Sequence, residues 1–273
     1  MGDSTRPIGI FDSGVGGLTV LKALRRRLPD EDYVYLGDTA RLPYGTKSPS
    51  SVLRYARQAA AHLRRRGIKL LVVACNTASA VALAELEAEL WPLPVLGVVV
   101  PGAQAAVRAA PAGRHLVLAT EATVGLRAYG NAIRALDAGA SVRELACELL
   151  VSMAEEGWTE GGIAEAVVRR YLDEALAAGG GWRPQSIILG CTHFPLLRET
   201  IQGVAGGDVV LVDSAGTTAE AVAELLGERE LLKGSGGGGL ELMATDGAGR
   251  FARVGGTFLG APVSGEDVRI VDL

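Results

Sequence analysis

The sequence predicts an α/β fold, doubly wound around mostly parallel sheets, and three observations carry that prediction. Short runs of branched apolar residues are continuous rather than alternating, as in strands covered on both faces. Longer helical patterns separate these runs, joined to them by tight, glycine-rich turns. Finally, LLVVACNTASA (Leu70 to Ala80) and SIILGCTHFPLL (Ser186 to Leu197) repeat one pattern: an apolar run, a small residue, a cysteine, then small polar residues. The two cysteines, Cys75 and Cys191, lie 116 residues apart, a spacing compatible with two related α/β halves.

Taken in order, Ile8 to Phe11 reads as a buried strand, followed by a glycine turn and a helix from about Leu18 to Arg27. Tyr33 to Leu36 is the second strand. Ser48 to Arg66 is an amphipathic helix, with Ser48 as its N-cap ahead of Pro49 at the first helical position. Leu70 to Val73 is the third strand and Thr77 to Leu90 the helix after it. Val95 to Val98, Leu116 to Ala119, Val142 to Leu145, Ile187 to Leu189 and Val209 to Val212 continue the strand series. Trp91-Pro92-Leu93-Pro94 with Pro101 interrupts the pattern near residue 100, and Gly206-Gly207 interrupts it again. These breaks predict a first domain of residues 1–99 and 209–273, and a second of residues 100–208. Gly179 to Gly181 and Gly234 to Gly239 read as flexible connectors without packing content.

Composition narrows the function. A chain of 273 residues can build one large core or two ordinary ones, and its net charge of −4 points away from nucleic acid. Arg25 to Arg27 and Arg64 to Arg66 fall near helix ends, where they favour the helix dipole and face water. The amino terminus, MGDSTRPIG, has no apolar segment of a secretory signal, and Arg6 stands where a myristoylation motif needs Ser or Thr. No apolar run reaches the ~18 residues of a membrane span. Three cysteines do not make a disulfide framework. The expectation is a cytoplasmic protein with reduced thiols and neither membrane nor nucleic-acid partners.

The chemistry concentrates at the repeated cysteines. A sulfur between the carboxyl end of a strand and the start of a helix sits where open α/β sheets hold their ligands. A helix amino terminus or a nearby imidazolium lowers a thiol pKa from about 8.5 toward neutrality, as general acid–base work requires. Two such sulfurs facing one carbon from opposite sides could remove a proton from one face and return it to the other. Inert burial is the competing reading, and for Cys147, inside the apolar RELACELLVSMA, it is the preferred one. Zinc is not expected: Cys191 and His193 are separated by one residue, no second close pair exists, and His62 and His115 are isolated.

Two further segments join the cysteines. FDSGVGGLTVLK (Phe11 to Lys22) lacks the spacing of either nucleotide fingerprint. It reads instead as a backbone nest for a carboxylate, with Asp12 available to an ammonium group or a thiol proton. YLGDTARLPYGTKS (Tyr35 to Ser48) offers Asp38, Pro43, Tyr44 and Gly45 as a substrate loop, although turn chemistry alone explains Pro-Tyr-Gly. None of the four lysines, Lys22, Lys47, Lys69 and Lys233, sits in a Schiff-base setting, so no pyridoxal cofactor is expected. Without that electron sink, a carbanion must be held by hydrogen bonds and fixed charge.

IGIFDSGVGGLTVLK, YLGDTARLPYGTKS, VVACNTASA, ILGCTHFPLLR and VDSA, in this order over nearly the whole chain, closely resemble cofactor-independent glutamate racemases of the aspartate/glutamate racemase superfamily. FARVGGTFLG is similar to that family's ending. The resemblance implies reversible conversion of L-glutamate to D-glutamate for peptidoglycan synthesis and cell shape, without cofactor. It also implies two pseudo-symmetric α/β domains with the active site between them, and a homodimer as one assembly. Carried over, Cys75 and Cys191 are the catalytic acid/bases, Asp12 assists Cys75, and His193 with Glu155 assists Cys191, Glu156 being the adjacent alternative. Asp12, Ser13, Tyr44, Gly45, Asn76, Thr77, Thr192 and His193 match substrate-contacting positions.

Departures from the family pattern fall in the middle of the chain. Glu148 and Ser152 occupy positions where relatives usually have proline, and Leu126 stands where they usually have serine. Two rival functions follow from the same scaffold. One is a sister enzyme, an aspartate or hydantoin racemase or a maleate isomerase, which an assay of aspartate beside glutamate separates. The other is a non-catalytic regulatory protein, against which the presence of both cysteines argues.

Overall fold

The computed structural model describes residues 3–177 and 181–273. Its first half alternates β1 (Ile8–Asp12), α1 (Leu18–Arg27), β2 (Tyr33–Gly37), α2 (Pro49–Arg65), β3 (Leu70–Val73), α3 (Asn76–Leu90), β4 (Val95–Gly97) and α4 (Val99–Ala109). The middle runs through β5 (Arg114–Ala119), α5 (Glu121–Gly125), α6 (Ala128–Leu136), β6 (Ser141–Ala146), α7 (Glu148–Glu156), α8 (Gly161–Ala177) and β7 (Ser186–Gly190). The chain ends with α9 (Arg198–Ala205), β8 (Val210–Asp213), α10 (Ser214–Glu228), β9 (Leu240–Ala244), α11 (Ala248–Leu259) and β10 (Val268–Ile270). The expected N-cap of α2 is in place, with Ser48 Oγ accepting from Ser51 N–H at 3.4 Å.

Two parallel sheets result, ordered β10-β9-β2-β1-β3-β4 and β6-β5-β7-β8. Continuous burial along β1, β2, β3 and β7 is the physical counterpart of their unbroken apolar runs. The order β2-β1-β3-β4 in the larger sheet matches β6-β5-β7-β8 in the smaller, strand for strand. In this correspondence β3 and β7 hold the same place, each beside its sheet's first strand in chain order, and each delivers a cysteine at its carboxyl end. The repeated sequence pattern is therefore a repeated topological position.

The apolar core is continuous from one sheet to the other. Ile8, Leu18 and Leu21 belong to the same buried cluster as Leu116, Ile187, Ala219 and Val222, and α1 packs against α10 where the two sheet systems meet. Arg25 to Arg27 are exposed in the last turn of α1, and Arg64 and Arg65 lie in that of α2, as expected of solvated helix ends.

Three features differ from the sequence expectations. The strand at 210–213, assigned with the first unit, pairs with β7 in the smaller sheet, from Ser186↔Val210 to Leu189↔Asp213. The chain returns to the larger sheet only at β9, which pairs with β2, and β10 follows beside it. The run Gly234 to Gly239 is not free of packing. Gly238 N–H donates to Pro29 O at 3.0 Å, Gly239 N–H to Asp32 Oδ1 at 2.7 Å, and a Cβ on Gly238 would lie 1.9 Å from Glu31 O. Close backbone approach, rather than flexibility, explains glycine there. The other expected connector, Gly179 to Gly181, lies largely outside the described residues. Among the described residues no helix is long and apolar enough to cross a membrane.

Candidate active site

The carboxyl ends of β1, β3, β5 and β7 surround a cavity of about 50 Å³. Its wall includes Ser13, Tyr44, Gly45, Cys75, Asn76 and Thr77 from the larger sheet's side, and Thr120, Glu148, Glu155, Cys191, Thr192 and His193 from the smaller sheet's side. Both cysteines predicted to be functional thus line one space, while Cys147 is fully buried elsewhere with its thiol directed to Leu145 O at 3.6 Å. A space of this size is smaller than an amino acid. A ligand the size of an amino acid enters only as the walls part.

Cys75 caps α3, its sulfur accepting from Ala78 N–H at 3.4 Å and donating to Ser13 Oγ at 3.5 Å. A thiol at a helix amino terminus is expected to acidify, yet burial pushes this one up to about 12, and the neighbouring Asp12 carboxylate adds to the rise. The helix dipole is outweighed because the sulfur is buried. Asp12 is itself fully buried, standing behind the wall formed by Ser13 and Gly14 rather than in it. Burial raises its pKa, opposed by the charge of His193 and by the N–H groups of Gly17, Gly14 and Ser13. Its Oδ1 is one of the buried oxygens with no protein partner among the described residues, and Asn76 Oδ1 is another.

The second cysteine has a different neighbour. His193 Nδ1 lies 3.7 Å from Cys191 Sγ, and His193 Nε2 lies 3.2 Å from Glu155 Oε1. Burial alone would lower the imidazole's pKa; contact with the Cys191 sulfur and the Glu155 carboxylate overturns this and holds it at about 10. Glu155 is correspondingly held below the usual carboxylate range, chiefly by its hydrogen bond with His193. Glu156, the adjacent alternative, is exposed at the end of α7, so helical phase selects Glu155. Phe258 meets the imidazole edge-on, with ring centroids 5.0 Å apart. Across the loop before α1, Gly16 lies so close that a Cβ would be 2.3 Å from Thr192 Oγ1 and 2.5 Å from His193 Nδ1.

Other wall residues are fixed by contacts between the two sheet systems. Asn76 Nδ2 donates to Tyr129 OH at 2.7 Å and to Ser214 Oγ at 3.1 Å. Thr77 Oγ1 meets Thr120 Oγ1 at 3.0 Å and Thr123 Oγ1 at 3.4 Å. Tyr44 donates its hydroxyl to Asp38, whose other oxygen accepts from Thr245 at 2.9 Å, so Asp38 is a buttress for the loop and does not line the cavity. Thr120, Thr123, Tyr129 and Ser214 were not singled out from sequence. For Thr120 the usable signal was position: it follows β5 as Asp12 and Ser13 end and follow β1. Of the three departures, Glu148 lines the cavity and accepts from Glu121 N–H at 2.5 Å, while Ser152 and Leu126 are exposed. Among the described residues no group of three or more His, Cys, Asp or Glu could hold a metal ion.

A profile of the Asp/Glu/hydantoin racemase family matches residues 16–222. A glutamate racemase of Geobacter metallireducens is 49% identical over 256 residues, 93% of each chain. The crystal structure of a glutamate racemase from Francisella tularensis, in complex with D-glutamate, superposes with a TM-score of 0.89 at 36% identity, covering 98% of both chains. That of a Thermus thermophilus glutamate racemase with β-chloro-D-alanine gives 0.88 at 41% identity, covering 100% of this chain and 99% of the other. The chain belongs to the Asp/Glu/hydantoin racemase family, among its glutamate racemases.

Proposed function

We propose that the protein interconverts L-glutamate and D-glutamate without a cofactor, by two-base proton transfer between Cys75 and Cys191. The observation that carries the reading is the pair itself: two sulfurs, from equivalent strands of opposite sheets, in the wall of one cavity. One sulfur of the pair is the thiol while the other is the thiolate, Cys75 standing beside Asp12 and Cys191 beside His193. Cys191 removes the α-proton of one enantiomer as Cys75 delivers its proton to the opposite face; the other enantiomer is processed in the reverse sense. Two protonation states of the pair interconvert with each turnover, so no net proton is gained or lost.

A positioned acid or base contributes about 10²–10⁴-fold, so stabilising the carbanion must supply most of the acceleration. The backbone N–H groups of Asn76 and Thr77 at the start of α3, with Thr192, offer donors to the α-carboxylate, where hydrogen bonds strengthen as charge delocalises into it. Ser13, Tyr44 and Gly45 lie in the same wall and are left to contact the rest of the substrate, and Asn76 Oδ1 is an unpartnered buried acceptor for the retained ammonium group. We further propose that the enzyme acts in the cytoplasm, that its two sheet systems form two domains, and that its D-glutamate supplies peptidoglycan synthesis.

The test is racemisation in deuterated water by the wild type, Cys75→Ala and Cys191→Ala. Each variant should lose racemisation, and full activity in either would defeat the two-thiol scheme. Aspartate assayed in parallel should be turned over poorly, and an aspartate preference would move the chain to the sister activity. Rescue of a D-glutamate auxotroph tests the biosynthetic role.

A further inference from the structure

Glu155 uses both of its oxygens. Oε1 faces His193 Nε2 at 3.2 Å, and Oε2 accepts from an Arg250 Nη at 2.8 Å. The two partners belong to different parts of the molecule: Glu155 lies on α7, beside the smaller sheet, whereas Arg250 lies on α11, which follows β9 of the larger sheet. The approach to α11 is firmly tied. Thr39 Oγ1 donates to Asp246 O at 2.6 Å, and Asp246 N–H returns a bond to Thr39 Oγ1 at 2.9 Å. Ala40 N–H donates to Thr245 Oγ1 at 2.9 Å. Arg250 therefore reaches across from a fixed mount.

A second cavity, about 130 Å³, lies against this pair and shares Leu42 and Glu155 with the wall of the cysteine cavity. The Glu155–Arg250 contact thus stands at the boundary between the closed site and a neighbouring space between the sheet systems. An ion pair whose cation is half exposed adds little to stability, on the order of 0–1 kcal/mol. Its value here is directional, because a carboxylate held at both oxygens cannot rotate away from the imidazole.

We propose that Arg250 is a positioning residue of the racemisation: it fixes the Glu155 carboxylate against His193, and hence His193 against Cys191, and does so only when the cleft between α7 and α11 is closed. The chain of contacts runs Arg250, Glu155, His193, Cys191, and its outermost link is the one that must part if the walls separate to admit substrate. Closure and alignment of the Cys191 half are then one event. This inference rests on the racemase reading.

The experiment compares kcat and KM for both glutamate enantiomers in Arg250→Met, Arg250→Lys, Glu155→Gln and the Glu155→Gln/Arg250→Met double variant. Arg253→Met, an exposed position on the same helix, controls for loss of charge. In Arg250→Met kcat should fall about tenfold, less than the ~10²–10⁴-fold assigned to a proton-transferring group itself, with KM changed less. Lysine, which can still meet one oxygen, should restore most of the loss, and Arg253→Met should match the wild type. In the Glu155→Gln background the arginine change should cost nothing further, since the two act as one unit. Unchanged kcat in Arg250→Met, or an equal loss with and without Glu155, would overturn the proposal. A wild type unable to racemise glutamate would instead overturn the racemase reading, and this inference with it.

Discussion

Gly16→Ala is the sharpest probe of the site, because it adds one methyl group at a place where the structure leaves no room. The new Cβ would sit 2.3 Å from Thr192 Oγ1 and 2.5 Å from His193 Nδ1. An unstrained carbon–oxygen contact needs about 3.3 Å, so both side chains must retreat by roughly 1 Å. His193 cannot retreat freely, since Phe258 meets its ring and Glu155 holds its far nitrogen. The displacement therefore falls on the 3.7 Å approach between His193 and Cys191. A misplacement of about 1 Å can cost about 10²-fold in rate, while overpacking costs about 1–3 kcal/mol of stability. At about 2–4 °C per kcal/mol for a chain of this size, Tm should fall by roughly 2–12 °C. The assay is circular dichroism of glutamate racemisation alongside thermal melting. Gly203→Ala is the comparison: its Cβ, on the exposed face of α9, would meet nothing within 4 Å and should change the rate by no more than about twofold. A Gly16→Ala enzyme with wild-type kcat would refute the argument that Thr192 and His193 must stay where they are.

The remaining predictions concern charge. Lys69 and Glu31 form a buried ion pair at 2.5 Å, and Lys69 also donates to Ser4 O and Leu231 O at 2.7 and 2.8 Å. Lys69→Met should cost about 3–5 kcal/mol by stranding the carboxylate, with partial recovery on adding Glu31→Leu; chemical denaturation with no loss in the single variant would contradict this. His193, held at about 10 against 6.5 in the unfolded chain, stabilises fully below pH 6.5 and progressively less as pH rises toward 10. Wild-type Tm should decline across that window and His193→Gln should flatten the decline; equal slopes would count against a protonated imidazole.

The site was legible in the sequence to the extent that its residues sit beside local punctuation. Cys75, Asn76 and Thr77 begin a helix after an apolar strand, and Asp12 and Ser13 do the equivalent before the glycine turn, so strand ends alone located them. Glu155 could not be separated from Glu156 without helical phase, which depends on what α7 packs against. Thr120 and Thr123 have the same local look as any helix start, and Tyr129, Ser214 and Arg250 reach the site's surroundings through long-range contacts that no neighbouring residue announces. The same limit explains β8. A buried parallel strand carries no mark of which sheet it joins, and the glycines at 206 and 207 suggested a boundary one strand too early. In β9 Glu241 interrupts the apolar run, and β10 is three residues long with Arg269 at its centre, so neither shows the unbroken apolar run that identified the others.

The two cysteines have unlike companions, a carboxylate for Cys75 and an imidazolium relay for Cys191. Mirror-image amino acids have equal free energies in water, so the reaction's equilibrium constant is one. That requires the same kcat/KM in both directions, whatever the companions do. Their inequality can only surface as a reciprocal trade, in which the enantiomer bound more tightly is turned over more slowly by the same factor. Tuning either companion therefore changes which enantiomer occupies the enzyme in a mixed pool, and leaves the final ratio untouched.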